Sequence, residues 1–233
     1  MKLGVMQPYF FPYIGYWQLM NAVDTYVIFD DVAYIKRGWI NRNRIKMNGT
    51  VQRIGISIKH ASQNKKINEL YLAQSEKETA GFFRSLELSY KKAPYYDRGM
   101  AIAEKALCGG KENLAEFLAE SMFIVADYLG IHTKFLFSSS LEKDESLKAQ
   151  DKILEICHIL EADTYINAAG GRALYHPDVF RKQGIELRFL ETDGDIVYPQ
   201  GKGDFIPNLS ILDVIMYNEK EDIRRLLEKY TFC

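Results

Sequence analysis

Cysteine is scarce in this sequence. Cys108, Cys157 and Cys233 are an odd number with neither metal nor redox spacing. A disulfide scaffold is therefore not expected, and a reducing cytoplasm is the expected location. No apolar run reaches the roughly 18 residues a membrane span needs, so no transmembrane helix is expected. The opening segment is apolar, but Gln7, Pro8, Pro12 and Gln18 interrupt it and no small-residue cleavage site follows. It is read as part of the fold and not as a signal peptide. An excess of one charge is also missing. The formal net charge is −1, so no global field gathers nucleic acid or an anionic membrane, and any anion site must be local. No P-loop, GxGxxG or serine-elbow motif occurs, and His60, His132, His158 and His176 fall at spacings that do not suit zinc. There is no internal repeat and no low-complexity linker.

What is present is ordinary in bulk and concentrated in detail. With 233 residues, 47% of them hydrophobic and 26% charged, the chain can build one sizeable core or a core with an inserted subdomain. Aromatic residues are abundant, with 15 Tyr and 13 Phe, and many of them are expected to be core.

The first stretch organises the rest. Lys2 to Met6 reads as a buried strand, and Pro8 and Pro12 forbid a helix between them. Ile14 to Val23 is apolar at helical spacing, and Tyr26 to Phe29 is a second strand closed by Asp30 and Asp31. This is a βαβ unit whose loop opens at a helix N-terminus, where ligands bind in such folds. A hairpin is expected from Arg42–Met47 and Val51–Ile58 across Asn48-Gly49. From about Glu69 to Gly130 the pattern is helical, clearest over Lys111–Leu129, with Asn113 and Glu116 as a capping box and Gly130 as the stop. Alternation then resumes. Strands are expected at Thr133–Phe137, Thr164–Asn167 and Glu186–Leu190. Helices are expected at Ser146–Leu160, Pro177–Lys182, Leu209–Tyr217 and Lys220–Tyr230, the last two opened by Ser210-x-x-Asp213 and Asn218-x-x-Glu221. The expectation is a single α/β domain over residues 1–233, built on a parallel Rossmann-like sheet with a helical insertion at about 60–130.

Four constellations are candidates for chemistry. Tyr13-Ile14-Gly15-Tyr16 sits at the strand-to-helix junction where nucleotidylyltransferases and class I aminoacyl-tRNA synthetases place His-x-Gly-His. Tyrosine donates to a phosphate oxygen but stays neutral at pH 7, which argues against the usual adenylyl transfer. Asp30 and Asp31 end a strand, where a carboxylate pair suits a hydroxyl, an amine or a divalent cation. After them Lys36, Arg37, Trp39, Asn41 and Arg42 suit a phosphate with a stacked ring, against the alternative of a solvated loop. Tyr90-Lys91-Lys92-Ala93-Pro94-Tyr95-Tyr96 reads from spacing alone as a basic helix end stopped by Pro94, with a lid over an anionic substrate as the alternative. Asn167-Ala168-Ala169-Gly170-Gly171-Arg172, with Tyr198-Pro199-Gln200 and Phe205–Ser210, forms a weaker signal in which Ser210 is a helix cap.

The block from Met6 to Ile45 resembles the opening signature of the WbqC-like family. The likeness continues through YKKAPYY, ADTYINAAGG, YPQ and FIPNLSILDVIMYN, so it spans essentially the whole chain. It implies surface-polysaccharide (O-antigen) biosynthesis and transfer of an aminoacyl group, glycine, to the amine of a nucleotide-linked amino sugar. The partners are then a nucleotide-sugar or amino acid. Nucleic acid is not expected, apart from a charged tRNA as an acyl donor. On this reading Asp30 or Asp31 accepts the amine proton, and Lys36, Arg37 and Arg42 hold the diphosphate. Trp39 or Tyr16 stacks on a ring, while Gln7, Tyr13 and Asn41 orient the substrate, with Tyr9, Gly15, Lys91 and Asn167 beside them. A resident metal is not expected. A nucleotide with Mg²⁺ as cofactor belongs to the competing nucleotidyltransferase-like reading, and a non-catalytic nucleotide or sugar binder is the third.

Overall fold

The strands are short and apolar on both faces, as strands covered by helices on both sides must be. In the computed structural model, which describes residues 1–194 and 196–233, they form one sheet. Its parallel members are β1 (Lys2–Met6), β2 (Thr25–Ile28), β5 (Lys134–Phe137), β6 (Thr164–Ala168) and β7 (Glu186–Thr192), in the order β5-β2-β1-β6-β7. Counted along the chain, that is third, second, first, fourth, fifth. The order reverses between β1 and β6, which is the switch point where doubly wound sheets open a crevice at their carboxyl ends. A two-stranded hairpin, β3 (Arg42–Met47) and β4 (Thr50–Gly55), stands apart from this sheet.

Alternation along each strand sorts side chains between two layers. Leu3, Val5 and Val27 face α5 (Ala149–Ile159) and α6 (Pro177–Lys182), where Ile153, Cys157 and Phe180 are buried. Burial pushes the Cys157 thiol up to about 12, which keeps it unreactive. Tyr26 and Ile28 face the other layer, with α1 (Ile14–Ala22), α7 (Ile211–Tyr217) and α8 (Lys220–Leu227). The helices α2 (Glu76–Tyr90), α3 (Tyr96–Leu107) and α4 (Leu114–Leu129) bury Phe82, Leu86, Ala103, Phe117 and Met122 in that same core. Gln18 joins α1 to the end of α8, donating to the carbonyls of Leu226 and Lys229 and accepting from Thr192. Among the described residues no helix is long and apolar enough to cross a membrane.

Several expected boundaries move. The last helix stops at Leu227, and Tyr230–Phe232 becomes β8, antiparallel to β7. An open sheet edge takes up those residues, which sequence periodicity does not reveal. Asn218 does not cap α8. Its amide donates back to Val214, and Glu219 precedes the helix without a side-chain cap. Asn113 accepts from the amides of Ala115 and Glu116, so α4 begins at Leu114 and not at Lys111. Likewise α5 begins at Ala149, and β4 ends at Gly55.

The loop from β1 to α1 is nailed into the core by two aromatics. Phe10 is fully buried, with ring centroids 4.8 Å from Phe11, 5.8 Å from Phe82 and 6.2 Å from Phe117. Replacing Phe10 by Ala is expected to lower unfolding stability by about 3–5 kcal/mol, read as a reduced urea midpoint with an unchanged slope. A loss of only a few tenths would show that the loop is held by something else.

Candidate functional site

At the switch point lies an open cavity of about 380 Å³. Tyr9, Pro12 and Tyr13 from the β1–α1 loop form one wall, and Ala169, Gly170, Leu190 and Thr192 from the ends of β6 and β7 form the second. The third wall is Trp39, Asn43, Arg44 and Asn208, none of which belongs to the main sheet.

Backbone bonding explains how these segments meet. The buried Asn43 amide donates to the carbonyls of Phe10 and Phe11, at 3.0 and 2.7 Å. The Phe10 amide donates to the Trp39 carbonyl, and the Ser210 amide to that of Arg44. Ser210 also donates its hydroxyl to Phe11 and caps α7 by accepting from Leu212. Across the mouth the Arg44 guanidinium lies 5.1 Å from the Trp39 ring centre, and one of its terminal nitrogens donates to the Asn208 carbonyl. Its Nε is buried without a partner among the described residues. An arginine stacked on an aromatic ring and only partly hydrogen-bonded suits a planar or phosphorylated ligand.

Burial raises the phenols of Tyr9 and Tyr13 above their usual range, and the neighbouring tyrosine adds to the effect at Tyr9. Both are neutral hydrogen-bonding groups at physiological pH. The first turn of α1 has no side-chain cap; the Tyr16 amide donates to the Tyr13 carbonyl, and the amides of Ile14 and Gly15 have no acceptor among the described residues. Gly15 is required there because a Cβ would strike Thr192 Oγ1 and the Tyr13 ring.

Other expected site residues have different duties. Tyr16 is buried, donates to the Gln7 carbonyl and packs on Tyr9 and Tyr26, so it presents no hydroxyl to a ligand. Gln7 contributes that carbonyl. Asp30 accepts from the amide and hydroxyl of Ser139 and from the Asn68 amide group, fixing the 3₁₀ turn after β5. Asp31 lies 2.9 Å from the ammonium nitrogens of both Lys143 and Lys152, all three with nearly buried side chains. Burial alone would raise the Asp31 carboxyl. Hydrogen bonding from Ser138, Lys143 and Lys152 outweighs it and holds the group below its usual range.

Lys36 and Arg37 sit on an exposed turn, outside the cavity. Arg42 donates to the Gly38 carbonyl, and Asn41 bridges the Tyr34 hydroxyl and the Ile56 carbonyl. Lys91 pairs on the surface with Glu87. Asn167 is buried against the hydroxyls of Tyr165 and Tyr175. Asp30, Asp31, Lys36, Arg37 and Arg42 are not among the residues that line the switch-point cavity. The acids have partners more than a hundred residues away in the chain, and the basic turn points elsewhere. Arg44, Asn43 and Thr192 were not singled out, while Asn208 lay within the Phe205–Ser210 block. Arg42 and Arg44 have the same parity on β3, and no sequence signal separates them.

Asp31→Asn is expected to cost about 3–5 kcal/mol, since it leaves two ammonium groups together without a counter-ion. The Asp31 contribution is present above the unfolded carboxyl pKa and is lost as pH falls through the lower folded value. The variant should therefore lose stability at neutral pH and show a flatter acid limb in urea melts taken across pH. Unchanged stability at pH 7 would refute this role.

A model of the WbqC-like protein family matches residues 7–225. The chain is also similar to Uncharacterized protein Rv1507c of Mycobacterium tuberculosis (strain ATCC 25618 / H37Rv). Identity is 28% over 216 residues, covering 92% of this chain and 92% of that one. No solved structure matches. With the family model running from the β1–α1 loop to the last helix, the chain belongs to the WbqC-like protein family.

Proposed function

We propose that the protein is a transferase of surface-polysaccharide (O-antigen) biosynthesis, carrying an aminoacyl group, glycine, to the amine of a nucleotide-linked amino sugar. The switch-point cavity seats that sugar nucleotide. The observation that carries the reading is Arg44 lying over Trp39 at the carboxyl ends of the strands, with no carboxylate among the described residues lining the cavity. Arg44 holds the diphosphate in place of Lys36, Arg37 and Arg42. Trp39 stacks on the base or sugar, and Tyr9, Tyr13 and Asn208 orient polar groups. Because Asp30 and Asp31 are engaged elsewhere, the proton released as the amine attacks the acyl carbon passes to solvent or to the departing donor. A cytoplasmic location and a nucleotidyltransferase-like ancestry of the sheet, with helices α2 to α4 as its insertion, belong to the same reading. The strand order supports that ancestry.

A second reading, a nucleotide or sugar binder without turnover, is favoured by one observation. No histidine, cysteine or carboxylate is among the described lining residues. The nucleotidyltransferase-like reading with ATP or CTP and Mg²⁺ is weakened by Tyr16, whose hydroxyl is bonded inside the core.

A thermal-shift series with nucleotide-sugars, nucleotides and amino acids tests the proposal. A nucleotide-linked amino sugar at a hundredfold excess over its Kd should stabilise the protein by about 2.7 kcal/mol. Trp39→Ala and Arg44→Ala should each abolish most of that shift. Acylated product in the presence of a glycyl donor supports transfer, and binding without product supports the second reading. A shift that both variants retain would reject the cavity as the site.

A further inference from the structure

Toward the turn of the hairpin lies a larger open cavity, of about 660 Å³, assembled from four separated segments. The β3–β4 turn brings Lys46, Asn48 and Gly49, and the end of α2 brings Ser89 and Lys92. The loop after Tyr198 brings Gln200 to Gly203, and α7 brings Tyr217. Two sequence blocks with no part in the switch-point cavity, YKKAPYY and YPQGKG, therefore meet here.

The cavity is built as an electropositive enclosure. Lys46, Lys92 and Lys202 all line it, and none of the three is ion-paired among the described residues. Lys46 is only 5% exposed, and its ammonium donates to one acceptor, the Asp204 carbonyl, at 2.8 Å. A buried ammonium has three hydrogens to place, so the remaining donors lack partners among the described residues. Ser89 Oγ is likewise buried without one. The amides of Gly201, Lys202 and Gly203 find no acceptor among the described residues either.

The enclosure is also held rigidly from behind. Gln200 clamps its own loop by donating to the Ile206 carbonyl and accepting from the Ile206 amide, at 2.9 and 2.8 Å. It donates as well to the Tyr198 hydroxyl. Tyr198 and Tyr90 in turn donate to the fully buried Asp213. Gly201 and Gly203 adopt φ of +70° and +83°, and a Cβ on Gly201 would come within 2.7 Å of the Tyr217 hydroxyl. That conformation and that space admit only glycine, which brings the loop backbone against the cavity.

Three ammonium groups, a free hydroxyl and unpartnered amides match an oxyanion of charge two or more. We propose that this cavity is a second binding site, taking a phosphorylated small molecule by its phosphate or diphosphate group. Its volume leaves room for more than the anion itself. The site stands independently of the reading given to the switch-point cavity.

Calorimetric titration of the full chain at low ionic strength tests it, with pyrophosphate, inorganic phosphate, a nucleoside diphosphate and the parent nucleoside as probes. Pyrophosphate is expected to bind and the uncharged nucleoside is not, with affinity falling as salt rises. Lys92→Ala with Lys202→Ala changes only exposed side chains, and should weaken pyrophosphate roughly tenfold or more. Lys46→Gln should do the same, with folding of each variant checked by its thermal melt. Arg44→Ala removes the diphosphate-holding group proposed for the switch-point cavity, so the titrations are made on this variant as well. Pyrophosphate binding should persist there, and the nucleoside diphosphate is compared with pyrophosphate on it, so the two cavities fail or succeed separately. A nucleoside diphosphate binding more tightly than pyrophosphate identifies a nucleotide as the source of the phosphate, and equal binding identifies the free ion. Absence of pyrophosphate binding, or binding that the double lysine variant keeps, would overturn the proposal.

Discussion

The side-chain amide of Asn43 is the joint on which the molecule's upper surface depends. It is buried and donates to two consecutive carbonyls, those of Phe10 and Phe11, in a segment whose prolines rule out regular secondary structure. Those carbonyls have no helix or ladder to satisfy them, and burying them unpaired would be costly. Meeting that requirement pins the hairpin to the β1–α1 loop. Ser210 adds its hydroxyl to the Phe11 carbonyl, and the start of α7 is pinned at the same point. Trp39, Arg44 and Asn208 stand around the switch point as a consequence.

Electrostatics divides the same surface into finished and unfinished regions. Around Asp31 two buried lysines share one carboxylate, and Lys66 is paired with Glu145 nearby. That cluster ties the segment after β5 to the end of β2 and to α5. Arg44 and Lys46, two residues apart on one strand, make no direct ion pair among the described residues, although Lys46 acts on the buried Asp213 carboxyl. One faces each cavity. Asp30 and Asp31 are engaged in the scaffold, whereas Arg44 and Lys46 line these two cavities.

The succession of strands and helices was readable from residue patterns because each element carries its own period. The aromatic and β-branched runs at Lys2–Met6 and Tyr26–Phe29, and the apolar stripe from Leu114 to Leu129, need no partner to be recognised. The closeness of Tyr9 and Tyr13 was also readable, since they flank the first βα turn, whereas Trp39 comes to them only through the docking of the hairpin. The duties of Asp30 and Asp31 were not. A pair of acids at a strand end looks the same whether it awaits a substrate or is already bonded to Ser139, Lys143 and Lys152. Arg44 was missed for a related reason: strand parity places Arg42 and Arg44 on one side, and only the docking of the hairpin decides which meets the cavity.

By itself the sequence determined the parallel α/β class, the first βαβ unit, the hairpin at Asn48-Gly49 and the family. Each of these rests on local periodicity, turn chemistry or contiguous blocks. The tertiary structure alone decided the strand order, the position of the switch point, which acids are neutralised, and the meeting of YKKAPYY with YPQGKG. Those outcomes depend on pairing between residues far apart in the chain, where burial makes an unmatched polar group too costly to leave alone.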